Sequence, residues 1–265
     1  MTKLSACIVA WNGEKQIRGC LESLKGVVDE IVVVHDGPCI DKTIRICKEY
    51  TSKVFIRPYV GEAEPHRPFA FEKATGDWIL WIDQDEQLTP QLRKIIPQLI
   101  EREDVNAYSF IWPVKYANAN LTKGFFSKVH KTVLFRKSAI DNFRGLPNEV
   151  LKVKGKTVRT NYRMIHNQEG ERNTLRVFFK KTLRIVRIHA DQMIKKNLVT
   201  KIAPWYFIKA FLWFFLYCAY YYIFHATLFT KADRSIAFQL ALYNFYLYWY
   251  VFLAKTGLWK HTPGR

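Results

Sequence analysis

Residues 76–86 read Gly-Asp-Trp-Ile-Leu-Trp-Ile-Asp-Gln-Asp-Glu, and the rest of the chain is best understood from this stretch. Trp78–Ile82 is a short apolar run, which predicts a buried strand. The strand runs directly into the acidic triplet Asp83-Gln84-Asp85. The pattern therefore predicts a buried strand that delivers carboxylates to its carboxyl end.

Strand and helix patterns alternate on both sides of this segment. Apolar runs predict further strands at Leu4–Ala10, Glu30–Val34 and Val54–Ile56. Helical spacing predicts helices at 14–24, 41–50 and 69–74, and Thr89-Pro90 predicts the capped start of a helix that extends to about Arg102. This alternation is typical of an α/β fold, a mostly parallel sheet flanked by helices.

Polar turns follow three of these strands, at residues 10–14, 35–41 and 83–86. Ligands of such sheets bind beyond the carboxyl ends of the strands, so the three turns predict one binding edge. No GxGxxG follows the first strand and no GxxxxGK[ST] occurs, which argues against a dinucleotide fingerprint and a P-loop.

The Asp83-Gln84-Asp85 turn carries the most specific chemical signal. Two carboxylates one residue apart suit Mg²⁺ or Mn²⁺, hard cations that retain open positions for a diphosphate. The alternative is a solvated acidic turn that precedes a helix.

Four segments in order resemble family 2 glycosyltransferases with the GT-A type, Rossmann-like nucleotide-sugar fold. They are Ala-Trp-Asn-Gly-Glu at 10–14, Val-Val-Val-His-Asp-Gly at 32–37, Glu-Lys-Ala-Thr-Gly-Asp-Trp-Ile-Leu-Trp-Ile at 72–82, and Asp-Gln-Asp-Glu at 83–86. Lys131–Arg136, Pro147-Asn148-Glu149 and His166 resemble the branch that builds lipopolysaccharide core and other lipid-linked glycans. Gly13 departs from the glutamate that the family often has there, and Asn148 stands where the branch usually has histidine.

The resemblance implies a role for individual positions. The nucleotide is expected to contact Ala10, Asn12, Glu14, Asp36, Arg67, Asp83 and Gln84. Asp36 is expected to accept a hydrogen bond from the base, typically uracil. The implied metal ligands are Asp83, Asp85 and His166, and Glu149 is the implied general base, although a surface loop glutamate is its alternative reading.

Charge is distributed unevenly along the 265 residues, whose formal net charge is +18. Residues 1–112 hold 14 basic and 17 acidic side chains, whereas residues 113–201 hold 21 and 5. The basic middle predicts an anionic partner, such as a diphosphate or a phospholipid surface. A nucleic-acid-binding protein is not expected, because that class leaves the aromatic tail unexplained.

The tail holds 22 of the chain's 41 Phe, Trp and Tyr residues, and Ala210–Thr230 and Ile236–Ala254 are free of formal charge. Two membrane readings compete, a transmembrane hairpin and helices that lie in the interface, and a buried pair in a soluble core is the third. Gln239, Tyr243, Tyr246 and Tyr250 form a semi-polar stripe at helical spacing, and we favour in-plane or partly inserted helices.

The sequence thus predicts a nucleotide-sugar-binding half at 1–112, a basic acceptor-binding half at 113–200 and a membrane-associating segment at 201–265. The resemblance implies an inverting, metal-dependent glycosyltransferase with a UDP-sugar donor and a lipid-linked or lipopolysaccharide-type acceptor. A polyprenyl-phosphate glycosyltransferase and a nucleotidyltransferase are the alternatives. Five cysteines without a CxxC pair favour reduced thiols, consistent with the cytoplasmic face of a membrane.

Overall fold

A computed structural model describes residues 2–146, 149–167, 173–220 and 230–259. The chain divides into two compact units, one formed by residues 1–113 and 128–168 and the other by residues 114–127 and 169–265. The strands are β1 Leu4–Ala10, β2 Glu30–Asp36, β3 Val54–Arg57, β4 Trp78–Asp83, β5 Glu86–Leu88, β6 Ala107–Ile111, β7 Lys115–Tyr116, β8 Ala119–Asn120, β9 His130–Arg136 and β10 Thr157–His166. The helices are α1 Glu14–Leu24, α2 Thr43–Lys48, α3 Arg67–Lys73, α4 Pro90–Ile100, α5 Leu175–Val177, α6 Leu183–Lys195, α7 Ala203–Ala219 and α8 Lys231–Lys255.

The first unit is built on an eight-stranded sheet in the order β3-β2-β1-β4-β9-β6-β10-β5. β1 runs parallel to β2 and β4, and β2 runs parallel to β3. β9 lies antiparallel between β4 and β6, and β5 adds antiparallel to β10. The predicted α/β class with a sheet flanked by helices is confirmed, although the strands after β4 make the sheet mixed.

Apolar side chains cover both faces of this sheet. Ile17 and Leu21 of α1 pack on one face, and Phe71 of α3 packs on the other. Both faces are covered, and β1 and most of β4 are accordingly buried along their length. β5 escaped prediction because it has only three residues and directly follows the acidic turn.

The second unit contains the β7–β8 hairpin and helices α5 to α8. The helical region that begins with α5 is not a uniform α-helix, because α5 runs into a π-helical turn at Phe178–Thr182 before α6 begins. The semi-polar stripe of α8 points inward: Gln239, Tyr243 and Tyr250 are buried, and the two tyrosines pack with Val186 and Ala190 of α6.

By length and composition, α8 is the candidate membrane span within the described residues. The charge-free run Ala210–Thr230 lies partly outside these residues, since 221–229 are not described, and Pro147 and Asn148 lie outside them as well. The three-part division of the chain stays a prediction. Strands β9 and β10, which come from its middle part, belong to the sheet of the first unit.

Candidate active site

Asp83 ends β4 at the carboxyl edge of the sheet, where two cationic side chains meet it. Arg67 Nη2 lies 2.8 Å from Asp83 Oδ1, and Lys131 Nζ lies 2.8 Å from Asp83 Oδ2. Burial alone would raise the pKa of Asp83, but the charges of Arg67 and Lys131 outweigh it and hold that pKa far below its usual range. Asp83 therefore stays a carboxylate whose two oxygens are already paired.

The two cations are held in place by packing against an aromatic ring. Trp81, two residues before Asp83 on β4, lies beneath the Arg67 guanidinium, whose Cζ is 3.9 Å from the ring centroid. Lys131 Nζ lies 4.8 Å from the same centroid. Arg67 Nε is buried and has no hydrogen-bond acceptor among the described residues.

Glu86 is the buried hydrogen-bond acceptor that joins the members of this cluster. Its side chain is fully buried and accepts hydrogen bonds from the Asp83 backbone N–H at 2.9 Å, from Lys131 Nζ at 2.8 Å and from Trp112 Nε1. Asp83 and Glu86 together outweigh the burial of Lys131 and raise the pKa of its ammonium. Glu86 thus fixes both the backbone of the acidic turn and the lysine that pairs with Asp83.

Asp85 and His166 form the second pair at this edge. His166 Nε2 lies 3.4 Å from Asp85 Oδ2, and His166 Nδ1 lies 3.2 Å from the Pro113 carbonyl oxygen. The Asn167 N–H donates to the Asp85 carbonyl at 2.7 Å, which ties the acidic turn to the end of β10. Trp112 covers the imidazole, with ring centroids 4.4 Å apart.

The donors of this pair fit a divalent cation. Both nitrogens of His166 face acceptor oxygens, which suits an imidazolium, and the neutral ring together with Asp85 would be able to hold a divalent cation. Burial would lower the pKa of His166, but the hydrogen bond to Asp85 outweighs it and raises that pKa. Across the described ranges, no three His, Cys, Asp or Glu side chains converge as a group that could hold a metal ion.

The turn after β1 is fastened to the acidic turn. The Trp11 N–H donates to Gln84 Oε1 at 2.9 Å, and Gln84 Nε2 donates to the Trp11 carbonyl at 3.3 Å. The Gln84 side chain fills the space beside Gly13, where a Cβ would come within 2.5 Å of it. A larger residue in place of Gly13 would therefore displace Gln84.

Other residues predicted to contact the nucleotide serve the loops around the edge. Asn12 Oδ1 accepts the Ile40 N–H at 3.0 Å, and Glu14 Oε2 accepts the Lys42 N–H at 3.0 Å. Ala10 is buried at the end of β1. These contacts join the turns after β1 and β2, so both turns form one wall of the edge.

Asp36 points into the protein. Its carboxylate accepts the Val60 N–H at 2.6 Å, the Gly61 N–H at 2.7 Å and a hydrogen bond from His66 Nε2 at 2.8 Å. Burial opposes ionisation of Asp36, but these hydrogen bonds outweigh it and lower its pKa. Asp36 is 3% exposed, so its predicted bond to a nucleobase stays a prediction that requires a spare lone pair of this carboxylate.

Glu149 closes a loop beside α3. Its carboxylate accepts the Arg144 N–H at 3.0 Å and the Leu146 N–H at 2.9 Å. Gly145 of the same loop approaches the Glu64 carbonyl and the Pro68 ring, next to Arg67. Glu149 is thereby oriented by backbone donors, and its role as a base stays a prediction.

Prediction assigned no site role to Glu86 or Trp112, and it named Lys131 only as the start of the Lys131–Arg136 segment and as one of the basic residues. Their signals in the sequence are weak, because an acidic residue after a DxD and a lysine at the start of a strand look like surface charges. Burial and pairing reveal them.

The chain was compared with known proteins. The family model described as glycosyl transferase family 2 matches residues 5–147, more than half of the chain. The lipopolysaccharide core biosynthesis glycosyltransferase LpsC of Rhizobium meliloti is 33% identical over 106 residues, which cover 38% of this chain and 38% of LpsC. An uncharacterized glycosyltransferase of Rickettsia felis is 33% identical over 108 residues, which cover 41% of this chain and 38% of that protein. The chain thus matches about two fifths of the length of these curated relatives.

Two solved structures are also similar. Glucosyl-3-phosphoglycerate synthase from Mycobacterium tuberculosis, in complex with Mg²⁺ and uridine diphosphate, is 24% identical with a TM-score of 0.33, over 42% of this chain and 44% of that chain. Residues 1–349 of S. aureus TarS are 14% identical with a TM-score of 0.45, over 96% of this chain and 92% of that chain.

Proposed function

This chain belongs to glycosyl transferase family 2, and from that premise we propose that it moves a sugar from a nucleoside diphosphate donor to a glycan acceptor. The observation that carries the proposal is the pairing of Asp83 with Arg67 and Lys131 beside the Asp85–His166 pair, all at the carboxyl edge of the sheet. An acidic turn with the cationic side chains of Arg67 and Lys131 held beside it suits the diphosphate leaving group of such a donor. A UDP-sugar is the favoured donor.

Asp83, Asp85 and His166 are the residues that would hold a Mg²⁺ or Mn²⁺ ion, which when bound offsets the charge on the departing nucleoside diphosphate. Arg67 holds its guanidinium charge beside Asp83, 2.8 Å from Oδ1, and adds positive potential for phosphate oxygens at this edge. Lys131 keeps its charge because Asp83 and Glu86 face it, and it adds positive potential at the same place.

Glu149 is the proposed general base. Two backbone N–H groups orient its carboxylate beside the start of α3, so it has a defined direction. A base that takes the proton of an acceptor hydroxyl typically contributes about 10²–10⁴-fold in rate. Direct attack of that hydroxyl on the sugar inverts the anomeric centre.

The proposed acceptor is a lipid-linked or lipopolysaccharide-type glycan at the cytoplasmic face of a membrane. Residues 113–201 hold 21 basic and 5 acidic residues, and this positive balance supports an anionic acceptor. The likeness to LpsC, which is named for lipopolysaccharide core biosynthesis, agrees with this class. The five cysteines are free thiols, in keeping with a reducing compartment.

Donor binding tests the proposal directly. We expect one of a panel of UDP-, GDP- and dTDP-sugars to raise the melting temperature in the presence of Mn²⁺, since a ligand that binds only the folded state stabilises it. Asp85→Asn should abolish this shift and lower transfer of radiolabelled sugar by about 10²-fold or more. Asp104→Asn, which alters an exposed ion pair with Arg102 and Lys156, is the matched control and should behave as the wild type. Full activity of Asp85→Asn, or label from the nucleotide rather than the sugar in the product, would contradict the proposal.

A further inference from the structure

Helix α7 presents an apolar face that the described residues of the second unit leave exposed. Trp205, Ile208, Leu212, Phe215 and Leu216 recur at helical spacing, and their residues are between 46% and 64% exposed. We call these five residues the α7 stripe. A single exposed leucine needs no explanation, but a contiguous row of this size marks a binding surface.

The opposite side of α7 is already in use. Phe207 and Phe211 of α7 pack against aromatic rings of α8, with ring centroids between 5.2 and 5.8 Å apart for Phe207–Trp249, Phe207–Phe252 and Phe211–Phe245. The α7 stripe is thus the remaining face of a helix whose inner face is fixed. Because Phe207 and Phe211 pack against α8, the α7 stripe faces away from that contact.

The longer apolar helix, α8, is by contrast largely covered by neighbouring helices. From Ala241 to Ala254 every residue of α8 is buried or half-buried, because α7 covers one side and α6 another. Phe178, Val186 and Ala190 pack with Tyr243, Leu247, Tyr250 and Val251. The helix that is long enough to span a bilayer therefore presents little surface to lipid.

The helix that covers α8 is also charged. Arg187 Nε of α6 donates to the Tyr250 hydroxyl at 2.9 Å, and His189 Nδ1 lies 3.0 Å from the Tyr243 hydroxyl at the centre of α8. A spanning α8 would draw Arg187 and the exposed Arg184 of α6 into the hydrocarbon, where charged side chains are costly. The packing of α6 on α8 thus opposes a transmembrane arrangement.

Lysines lie near the amino-terminal part of the α7 stripe. Lys201 and Lys209 lie four residues to either side of Trp205, and Lys255 Nζ donates to the Lys201 carbonyl at 2.8 Å. Ammonium groups beside an apolar face match the phosphates and acyl chains of an anionic membrane surface. We propose that the second unit is a monotopic anchor, whose α7 stripe lies in one leaflet of an anionic bilayer while α8 does not cross it.

This inference deepens the proposed function by assigning the membrane contact to one surface, and it does not depend on sugar transfer. Membrane binding is measured without donor or acceptor. A failed binding test leaves donor binding standing, and a failed donor test leaves the anchor standing.

The first experiment measures sedimentation of the purified full chain with phosphatidylcholine vesicles, with and without phosphatidylglycerol. We expect binding that is stronger to the anionic vesicles, and a loss of about tenfold in partition for Leu212→Glu, since every 1.4 kcal/mol is tenfold. Leu240→Glu, at an exposed leucine of α8, is the matched control and should bind as the wild type. Equal losses in both variants, or no binding by the wild type, would overturn the proposal, as would a change of oligomeric state by Leu212→Glu without a change in vesicle binding.

The second experiment decides topology. Lys231→Cys and Leu258→Cys place thiols at exposed positions at opposite ends of α8, in a chain whose Cys39 and Cys218 are replaced by serine. In sealed inside-out vesicles from bacteria that express the protein, a membrane-impermeant maleimide should label both positions at similar rates. Labelling of one position only, with the other protected until detergent is added, would establish a spanning α8 and refute the monotopic anchor.

Discussion

Gly13 and Gln84 belong to separate motifs in the sequence, but at the active-site edge the Gln84 side chain occupies the space that a side chain at position 13 would need. Gly13 follows β1, and Gln84 is the middle residue of the acidic turn after β4. The Gln84 amide bonds both the N–H and the carbonyl of Trp11 and occupies the place of a Cβ at Gly13. The departure from the family's usual glutamate at position 13 thus has a physical reason, because Gln84 needs the room.

We expect Gly13→Ala to push the Gln84 amide away from Trp11 and to weaken donor binding by about fivefold, the worth of a hydrogen bond of about 1 kcal/mol. Gln84→Ala should weaken donor binding to a similar degree, since it removes the same hydrogen bonds. Isothermal titration calorimetry with the donor measures both variants and the double variant Gly13→Ala/Gln84→Ala.

Because both changes act on one contact, the double variant should be no weaker than the weaker single variant. Additive losses in the double variant would show that the two residues act independently.

Glu30 connects the amino ends of three strands on the side of the sheet opposite the active-site edge. From the start of β2 its carboxylate accepts hydrogen bonds from Ser5 on β1, from the Thr75 backbone just before β4 and from Lys53 before β3. Gly76 lies so close to Ser5 and Lys3 that a Cβ there would come within 3 Å of their atoms. The Gly76 of the family motif is therefore a packing residue, and Glu30 is the hub that joins the strands.

Glu30→Gln should lower the free energy of unfolding by about 2 kcal/mol at pH 7, since hydrogen bonds to charged groups are worth about 1.5–3 kcal/mol. Burial raises the pKa of Glu30, but the bonds from Lys53, Ser5 and Thr75 outweigh it and lower that pKa to about 2 from 4.5. A depressed carboxyl pKa contributes stability above the unfolded value, and this stability is lost as the pH falls from 4.5 towards 2.

Urea unfolding from pH 7 to pH 3 should therefore show the wild type and Glu30→Gln converging at low pH. Glu49→Gln, at an exposed partner of Arg18, is the control and should change little at any pH. A constant difference between wild type and Glu30→Gln across this range would rule out the ionised carboxylate as its source.

The second unit is assembled from segments that lie far apart in the chain. Asp233 of α8 is fully buried and accepts the Phe126 N–H at 3.0 Å and the Thr230 N–H at 2.9 Å. Gly124 lies against the same carboxylate with a φ of +90°, where a side chain would clash. Asp233 thus takes part in the cap of α8 and also holds residues 114–127 in place through a hydrogen bond.

Asp233→Ala should free residues 114–127, because it removes a carboxylate acceptor of the Phe126 N–H and the aspartate half of the Thr230–Asp233 capping box. Trypsin should then cleave after Lys115 or Lys123 about tenfold faster, as expected when local opening becomes easier by about 1.4 kcal/mol. Lys231→Ala, an exposed change in the same helical turn, is the control and should leave the cleavage rate unchanged. An unchanged cleavage rate in Asp233→Ala would show that other contacts hold residues 114–127 in place.

The positions of the first four strands and of α1 and α4 were predictable from local pattern alone. Apolar runs of four to seven residues and the Thr89-Pro90 start of α4 are signals confined to one segment, and the structure has these elements at the expected places. The acidic turn at the end of β4 was equally local. The roles assigned to Ala10, Asp36, Glu149 and the metal ligands stay predictions.

The α/β class, the acidic turn at the strand end and the aromatic tail follow from local pattern, because the periodicity of a segment indicates whether it is buried. The pairing of Lys131 with Asp83, the approach of His166 to Asp85 and the orientation of the tyrosine stripe of α8 towards α6 become visible only in the folded chain. Each of these contacts joins residues tens of positions apart. Their pairing depends on strand register and helix packing, which no local pattern encodes.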